Sequence, residues 1–371
     1  MGAPATVPAM GTAASVVELL TRRISQGDYA LTALPTEREL AVEAVVSYMT
    51  ARKAVRRLIE RGVLVREHGG RLRLSGHEGG RRVLRVAFLA PSFASADIER
   101  WRLALEVASR GQAVIIRPVL YLHWDDPLVR DSLDGFDGVF LVPNNEPLPE
   151  RLRQRLRAVG SAVVILDEDW SGLGLPSIRL CPARSVASLV EHLAERGHRR
   201  IDCCNVQPHN PVIRERIDHW WQAASEAGIA GDLIDAPIAP YERPLVAAHR
   251  VLAGRLAQAW RPAGAMIGIT APAGFGAARA LHEAGLAVGR DVALAVVNGE
   301  GLAEYGVPSL TAIELPDATP YFTRCLDWMI KGGDWQGALL MEPPTAQLVV
   351  RESTGGSQGA TVRSNTRESV V

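Results

Sequence analysis

From Val83 onward the chain alternates short β-branched and aliphatic runs with amphipathic stretches of helical period, and few folds accommodate that alternation. The runs at 83–89, 113–119, 138–142, 162–166, 201–205, 233–238, 263–269 and 292–297 read as buried strands. The stretches 97–110, 150–159, 183–196, 212–227, 245–259, 271–284 and 317–331 read as helices. Strand–helix–strand order at this spacing gives right-handed βαβ units and α/β parallel sheets covered by helices. So many strands exceed one compact sheet, and the order restarts near Cys181. The expectation is one body over 83–354, built of two similar lobes around a cleft, with the second lobe at 182–315.

The front of the chain has a different rhythm. Residues 1–12 are rich in Ala, Pro and Gly and read as disordered. A helix follows from Ala13 to Ser25, with Val16, Val17, Leu19, Leu20 and Ile24 as its apolar face. Gly27-Asp28-Tyr29 breaks it. Thr36 then caps a short second helix, with Glu39 three residues on to complete a capping box. Ser47 caps a third helix, which runs to Arg61 and stops at Gly62. Two short strands at 63–66 and 71–74 close the unit. Three helices and a hairpin make an α+β, winged helix-turn-helix order over 13–75. Residues 76–82 read as a linker and 355–371 as a disordered tail.

Charge separates the two parts. Of 41 Lys and Arg and 41 Asp and Glu in all, residues 1–85 hold 14 basic and 8 acidic side chains. A basic head on an acidic body is the footprint of a phosphate-binding front. No apolar run approaches the roughly 20 residues that span a bilayer. The N-terminus lacks a basic start followed by an apolar core, which argues against an export signal. Four cysteines make no disulfide framework, so a cytoplasmic location is expected.

Several stretches of the head carry a resemblance. They are Ile24-Ser25-Gln26-Gly27, then Leu34-Pro35-Thr36-Glu37-Arg38-Glu39-Leu40-Ala41, Val46-Ser47-Tyr48-Met49-Thr50-Ala51-Arg52 and Leu58-Ile59-Glu60-Arg61-Gly62-Val63-Leu64. In this order and spacing the head resembles the gluconate-repressor (GntR) family of winged-helix regulators. The resemblance implies duplex operator DNA as partner, with Arg38 on phosphate or base. Ser47, Tyr48 and Thr50 stand at the start of the third helix, where hydroxyls and free N–H groups meet phosphate oxygens. Arg52 and Arg56 lie one turn apart and can reach guanine edges or the backbone. His68, Gly69, Gly70 and Arg71 would form the wing tip in the minor groove. Thr36 belongs to the same surface. Where the family has Arg, this chain has Tyr48.

The body resembles the effector domain of the lactose-repressor (LacI/GalR) family, which has the fold of type I periplasmic sugar-binding proteins. The stretches that carry this are 192–201, 289–298, 308–313 and the closing Val349-Val350-Arg351-Glu352-Ser353-Thr354. Head and body together resemble the arabinose-repressor type of architecture. The resemblance implies a homodimeric, non-enzymatic regulator with a carbohydrate effector. It places a sugar-binding arginine at Arg216 and a ligand residue at Asn298, where the family has Asp. Ligands of open α/β sheets bind beyond the carboxyl ends of strands. That rule adds Phe93, Asn144, Asp167 and Thr270, and Arg214 shares the helix of Arg216. Trp170, Phe93 and Trp220 are candidate aromatic faces, with core packing the rival account for each Trp. Thr270-Ala271 replaces the family's Asn-Asp pair, Cys181-Pro182 replaces an Asp, and Gly299 rather than a second acid follows Asn298.

Other signals are set aside. Gly274-Phe275-Gly276 resembles a dinucleotide fingerprint but falls inside a helix, where packing is the expectation. His192, His198, Cys203 and Cys204 lack zinc spacing. Asp167-Glu168-Asp169 is no catalytic constellation. No cofactor or metal is expected. The rivals are a regulator whose body only dimerises, a solute-binding protein, and an enzyme on a doubly wound fold.

Overall fold

The computed structural model describes residues 12–25, 28–29, 34–66, 70–75, 77–78, 81–158, 162–239, 242–344 and 347–355. The expectations for residues 1–11 and 356–371, and for His68 and Gly69, lie outside these.

The head consists of α1 (Ala13–Ser25), α2 (Glu37–Glu43), α3 (Tyr48–Glu60), β1 (Leu64–Arg66) and β2 (Leu72–Leu74). The i, i+3, i+4, i+7 spacing of Ala51, Ala54, Val55 and Leu58 gives α3 one fully buried face. That face packs on Val16, Val17 and Leu20 of α1 and Leu40 of α2. The β1–β2 ladder is antiparallel, with Val65 opposite Arg73. The segment expected to be a linker forms a further two-residue ladder, β3 (His77–Glu78) with β4 (Arg81–Arg82).

Two six-stranded sheets make the body. The first is ordered β15-β9-β8-β7-β5-β6, from β5 (Leu84–Pro91), β6 (Val114–Tyr121), β7 (Gly138–Leu141), β8 (Ala162–Leu166), β9 (Ser177–Ile178) and β15 (Leu340–Met341). Its helices are α4 (Ala96–Ala108), α5 (Pro127–Gly135) and α6 (Glu150–Ala158). The second sheet is ordered β11-β10-β12-β13-β14-β16. Its strands are β10 (Ile201–Asn205), β11 (Leu233–Asp235), β12 (Ala265–Gly268), β13 (Ala293–Val296), β14 (Thr311–Glu314) and β16 (Gln347–Val349). Around it lie α7 (Val186–Glu195), α8 (Pro211–Glu226), α9 (Pro244–Ala257) and α10 (Ala271–Glu283). Every pairing is parallel except β14 with β16.

The chain crosses between lobes near Cys181, again before α11 (Thr319–Lys331), and once more between β15 and β16. Phe322, Leu326 and Met329 of α11 lie in the first lobe's core with Trp101 and Phe140. A second lobe confined to 182–315 therefore omits β16. Other differences have local causes. The ladder at β11 stops at Asp235, two residues before Pro237, which has no N–H to give. Helix α7 begins at Val186 because Ala183–Ser185 forms a 3₁₀ turn. The sequence reading missed α5, where Asp126 caps Pro127 at the first position. It also missed β9 and β15, two residues each, too short to show a period.

Cys203 and Cys204 are fully buried on β10. Gly276 lies inside α10 against α9: a Cβ there would sit 2.6 Å from the Leu245 carbonyl oxygen.

Candidate functional sites in the head and the cleft

In the head, caps fix the ends of two helices. The Thr36 hydroxyl accepts from Glu39 N at 3.3 Å, and the Glu39 carboxylate accepts from Thr36 N at 2.8 Å. The Ser47 hydroxyl accepts from Thr50 N at 3.1 Å. With one face of α3 buried, the opposite face exposes Tyr48, Met49, Arg52, Lys53 and Arg56. Thr36, Arg38, Ser47, Gly70 and Arg71 are exposed too, and Thr50 is half-buried. Tyr48, Thr50, Arg52 and Arg56 border one concavity with Lys53, Arg66 and Glu37. Arg56 also pairs with Glu60 at 3.4 Å.

Glu37 is the acid within this basic surface, and the sequence reading gave it no role. Its carboxylate accepts from Tyr48 Oη at 2.9 Å and from Arg66 Nη2 at 2.5 Å. Burial works against its ionised form, but these two hydrogen bonds outweigh it and hold the carboxyl below its ordinary range.

In the body, the residues chosen from sequence fall in four places. Asp167 after β8, Asn298 after β13 and Arg216 of α8 meet around Asp97 at the centre of the cleft. Arg216 is 3 % exposed, and its Nη1 donates to the Ile269 carbonyl at 3.2 Å. Its Nε is buried with no hydrogen-bond partner. Asn298 Nδ2 donates across the cleft to the Asp97 carboxylate, and its Oδ1 accepts from Glu300 N at 2.9 Å. The Thr270 hydroxyl accepts from Gln207 Nε2 at 3.4 Å.

Asn144, Trp170 and Arg214 instead line a 560 Å³ cavity on one side, together with Trp124 and His209. Trp170 Nε1 donates to the Glu168 carboxylate at 2.8 Å. Burial pushes that carboxyl up to about 7. Phe93 lines a second cavity of 680 Å³. Asn145 borders both, and its Oδ1 accepts from Asn210 Nδ2 of the other lobe at 2.8 Å. Trp220 is no ligand face. It is fully buried in the second lobe's core among Ile201, Ile213 and Ile229, because its position on α8 faces the sheet.

Three charged residues of the centre were missed. Asp97 and Arg100 sit in the first turns of α4, 3.5 Å apart. Glu300 supplies the acid that Gly299 does not, one residue later than expected. Asp167 (φ 69°) and Glu300 (φ 52°) both hold a left-handed backbone that non-glycine residues seldom adopt. Burial, with the Asp167 charge added, pushes Asp97 up to about 6. Burial, with the Asp97 charge added, pushes Glu300 up to about 8. The Cys181 thiol is likewise pushed up by burial, to about 11.

A winged helix-turn-helix head on a two-lobed α/β body with a polar cleft is the build of a transcription regulator. Residues 12–74 match the family model of the bacterial regulatory proteins of the gntR family, and residues 190–354 match that of the periplasmic binding protein-like domain. The fold is also that of solved repressor structures. The transcription regulator CcpA of Lactococcus lactis aligns over 74% of this chain and 100% of its own, with 18% identity and a TM-score of 0.59. A LacI-family regulator from Arthrobacter sp. FB24, solved with lactose, aligns over 73% and 99%, with 18% identity and a TM-score of 0.60. A dimeric Lac repressor with a C-terminal deletion aligns over 73% and 98%, with 19% identity and a TM-score of 0.59. No curated protein sequence matches the chain. No helix among the described residues is long and apolar enough to cross a membrane.

Proposed function

We propose that this chain is a repressor that binds operator DNA through α3 and releases it in response to a small molecule held between the lobes. The observation that carries this is the exposed row Arg52, Lys53 and Arg56 on a helix whose other face is fully buried. Nothing in the head's own packing requires that row, and its spacing suits the major groove. The free N-terminal N–H groups of α3, beside Ser47 and Thr50, suit a phosphate.

The body works as a homodimer in this proposal, setting two heads at half-site spacing. Support comes from α4 and the edge strand β6, which expose Leu103, Val107 and Leu120, with Leu122 just past the strand. An effector that binds one lobe angle better than the other shifts the population of angles, and with it the head separation. The carbohydrate implied by the family resemblance would be met by Arg216, Asn298 and Asp97, each able to pair with sugar hydroxyls. Operator binding is tested by gel shift against salt. Affinity for a sequence-selected operator falls steeply between 50 and 200 mM salt. Absence of any selected sequence, or binding indifferent to salt, would overturn the assignment.

A further inference from the structure

The 680 Å³ cavity is walled by Phe93, Ile238, Leu245, Phe275 and Leu302, and Glu300 reaches it from the cleft centre. Leu245 and Leu302 are 45 % and 43 % exposed, apolar surface with no cover of its own. Among the described residues the Glu300 carboxylate makes no ion pair and no hydrogen bond; only its backbone N is engaged. Behind it, Asp97 Oδ1 is buried without a hydrogen-bond partner, its nearest cation being Arg100 Nη1 at 3.5 Å. The charged groups around Glu300 are Asp97 and Arg100 of α4, Asp167 after β8 and Arg216 of α8, and Glu242 and Arg243 line the same cavity just before α9. With all seven ionised, the acids outnumber the arginines by one.

Ser92, Ser95, Asn145, Gln207, Glu242 and Arg243 also line the cavity, and on the cleft side Asn298 and Asp97 are already engaged with each other. The Glu300 carboxylate lacks a donor, and the apolar part of the lining lacks a body to cover it. We infer that the cavity takes a protonated organic amine with an apolar body, its ammonium on the Glu300 carboxylate and its hydrocarbon among Phe93, Phe275, Leu245 and Leu302. This rests on the effector reading proposed above and narrows its ligand.

A pH signature follows. An ordinary alkylammonium stays charged below about pH 10, whereas burial and the Asp97 charge place Glu300 at about 8. At pH 6.5 the amine must displace the proton on Glu300, and at pH 8.5 it need not. Affinity for the amine therefore rises with pH and that for a neutral isostere does not.

The experiment is titration calorimetry on the full chain with two matched pairs, 2-phenylethylamine with 2-phenylethanol and hexylamine with hexanol, and with glucose. In at least one pair the amine binds about tenfold tighter than the alcohol, and roughly tenfold tighter at pH 8.5 than at pH 6.5. Glu300→Gln brings the amine down to the alcohol's affinity and leaves the alcohol unchanged. Amines that bind no tighter than alcohols, an amine indifferent to Glu300→Gln, or glucose tighter than any amine would each overturn the assignment. A parallel operator gel shift separates the two readings. Glucose that alters operator affinity while no amine binds keeps the effector and removes the amine. An amine held by Glu300 that leaves operator affinity unchanged keeps the site and removes its role as effector.

Discussion

Asp97 of the first lobe accepts a hydrogen bond from Asn298 of the second, so the two lobes are latched by a carboxylate and an amide at the centre of the cleft. Asp167, Glu300, Arg100 and Arg216 surround the latch. A buried carboxylate with like charges beside it favours its protonated form. The body therefore carries a dependence on pH that follows from this contact.

The sign is fixed by the direction of the shifts. Asp97 and Glu300 are both raised in the folded chain, to about 6 and about 8, by burial first. Their contribution to stability is complete below their ordinary range near pH 4 and is lost as pH climbs through those values. Thermal unfolding should show a Tm that falls between pH 5.5 and pH 8.5, by about 2–4 °C for each kcal/mol lost. Glu300→Gln removes one titrating group and flattens the curve. A Tm that rises over this interval would contradict the placement of both carboxyls.

Arg52 stands on the exposed face of α3, within the electrostatic reach of Glu37. Arg52→Ala should weaken operator binding by about 1–3 kcal/mol if the guanidinium reads a base edge. The loss should be larger for the selected operator than for random duplex. Arg38→Ala, at the opening of α2, should weaken both alike and lower the slope of log affinity against log salt by about 1. Fluorescence anisotropy at three salt concentrations separates these outcomes.

Much of this was legible before any coordinates. Period-3.6 spacing at Ala51, Val55 and Leu58 marked α3, and the Thr36–Glu39 and Ser47 caps marked helix starts that the hydrogen bonds reproduce. Long buried runs marked most of both sheets. Less legible were contacts made across the fold. Asp97 drew no notice at the start of its helix, because nothing local shows that Asn298, 201 residues away, will meet it. Glu300 escaped because the family pattern was sought at the next residue, whereas the left-handed backbone at Glu300 turns a later acid into the cleft. Trp220 was indistinguishable in sequence from an aromatic ligand face, since both need a large apolar residue on a helix beside the cleft.

Glu37 is an acid among cations, tied to Tyr48 and Arg66. Against phosphate its charge is repulsive, and it occupies a guanidinium that duplex DNA would otherwise draw. Glu37→Gln should therefore raise affinity for random duplex by about three- to tenfold at low salt, with the gain shrinking as salt screens it. Tyr48→Phe, which removes one hydrogen bond and no charge, should leave the salt slope unchanged. Equal affinities of Glu37→Gln and the parent for random duplex would show that this acid does not face the DNA.

Two helical glycines on neighbouring elements should respond in opposite directions. Gly254 in α9 has open space where a Cβ would go and no left-handed backbone. Alanine there removes chain entropy from the unfolded state and should stabilise by about 0.5–1 kcal/mol. Gly276 in α10 lies where α9 crosses it, and a Cβ would sit 2.6 Å from Leu245 O and 2.8 Å from His249 N. Those are backbone atoms and cannot swing aside, so the helices must part. Gly276→Ala should cost about 1–3 kcal/mol net of its better helix propensity. Chemical denaturation of the two variants side by side reads both signs. A Gly276→Ala midpoint at or above that of the parent would mean that α9 and α10 do not approach as closely as the Leu245 carbonyl requires.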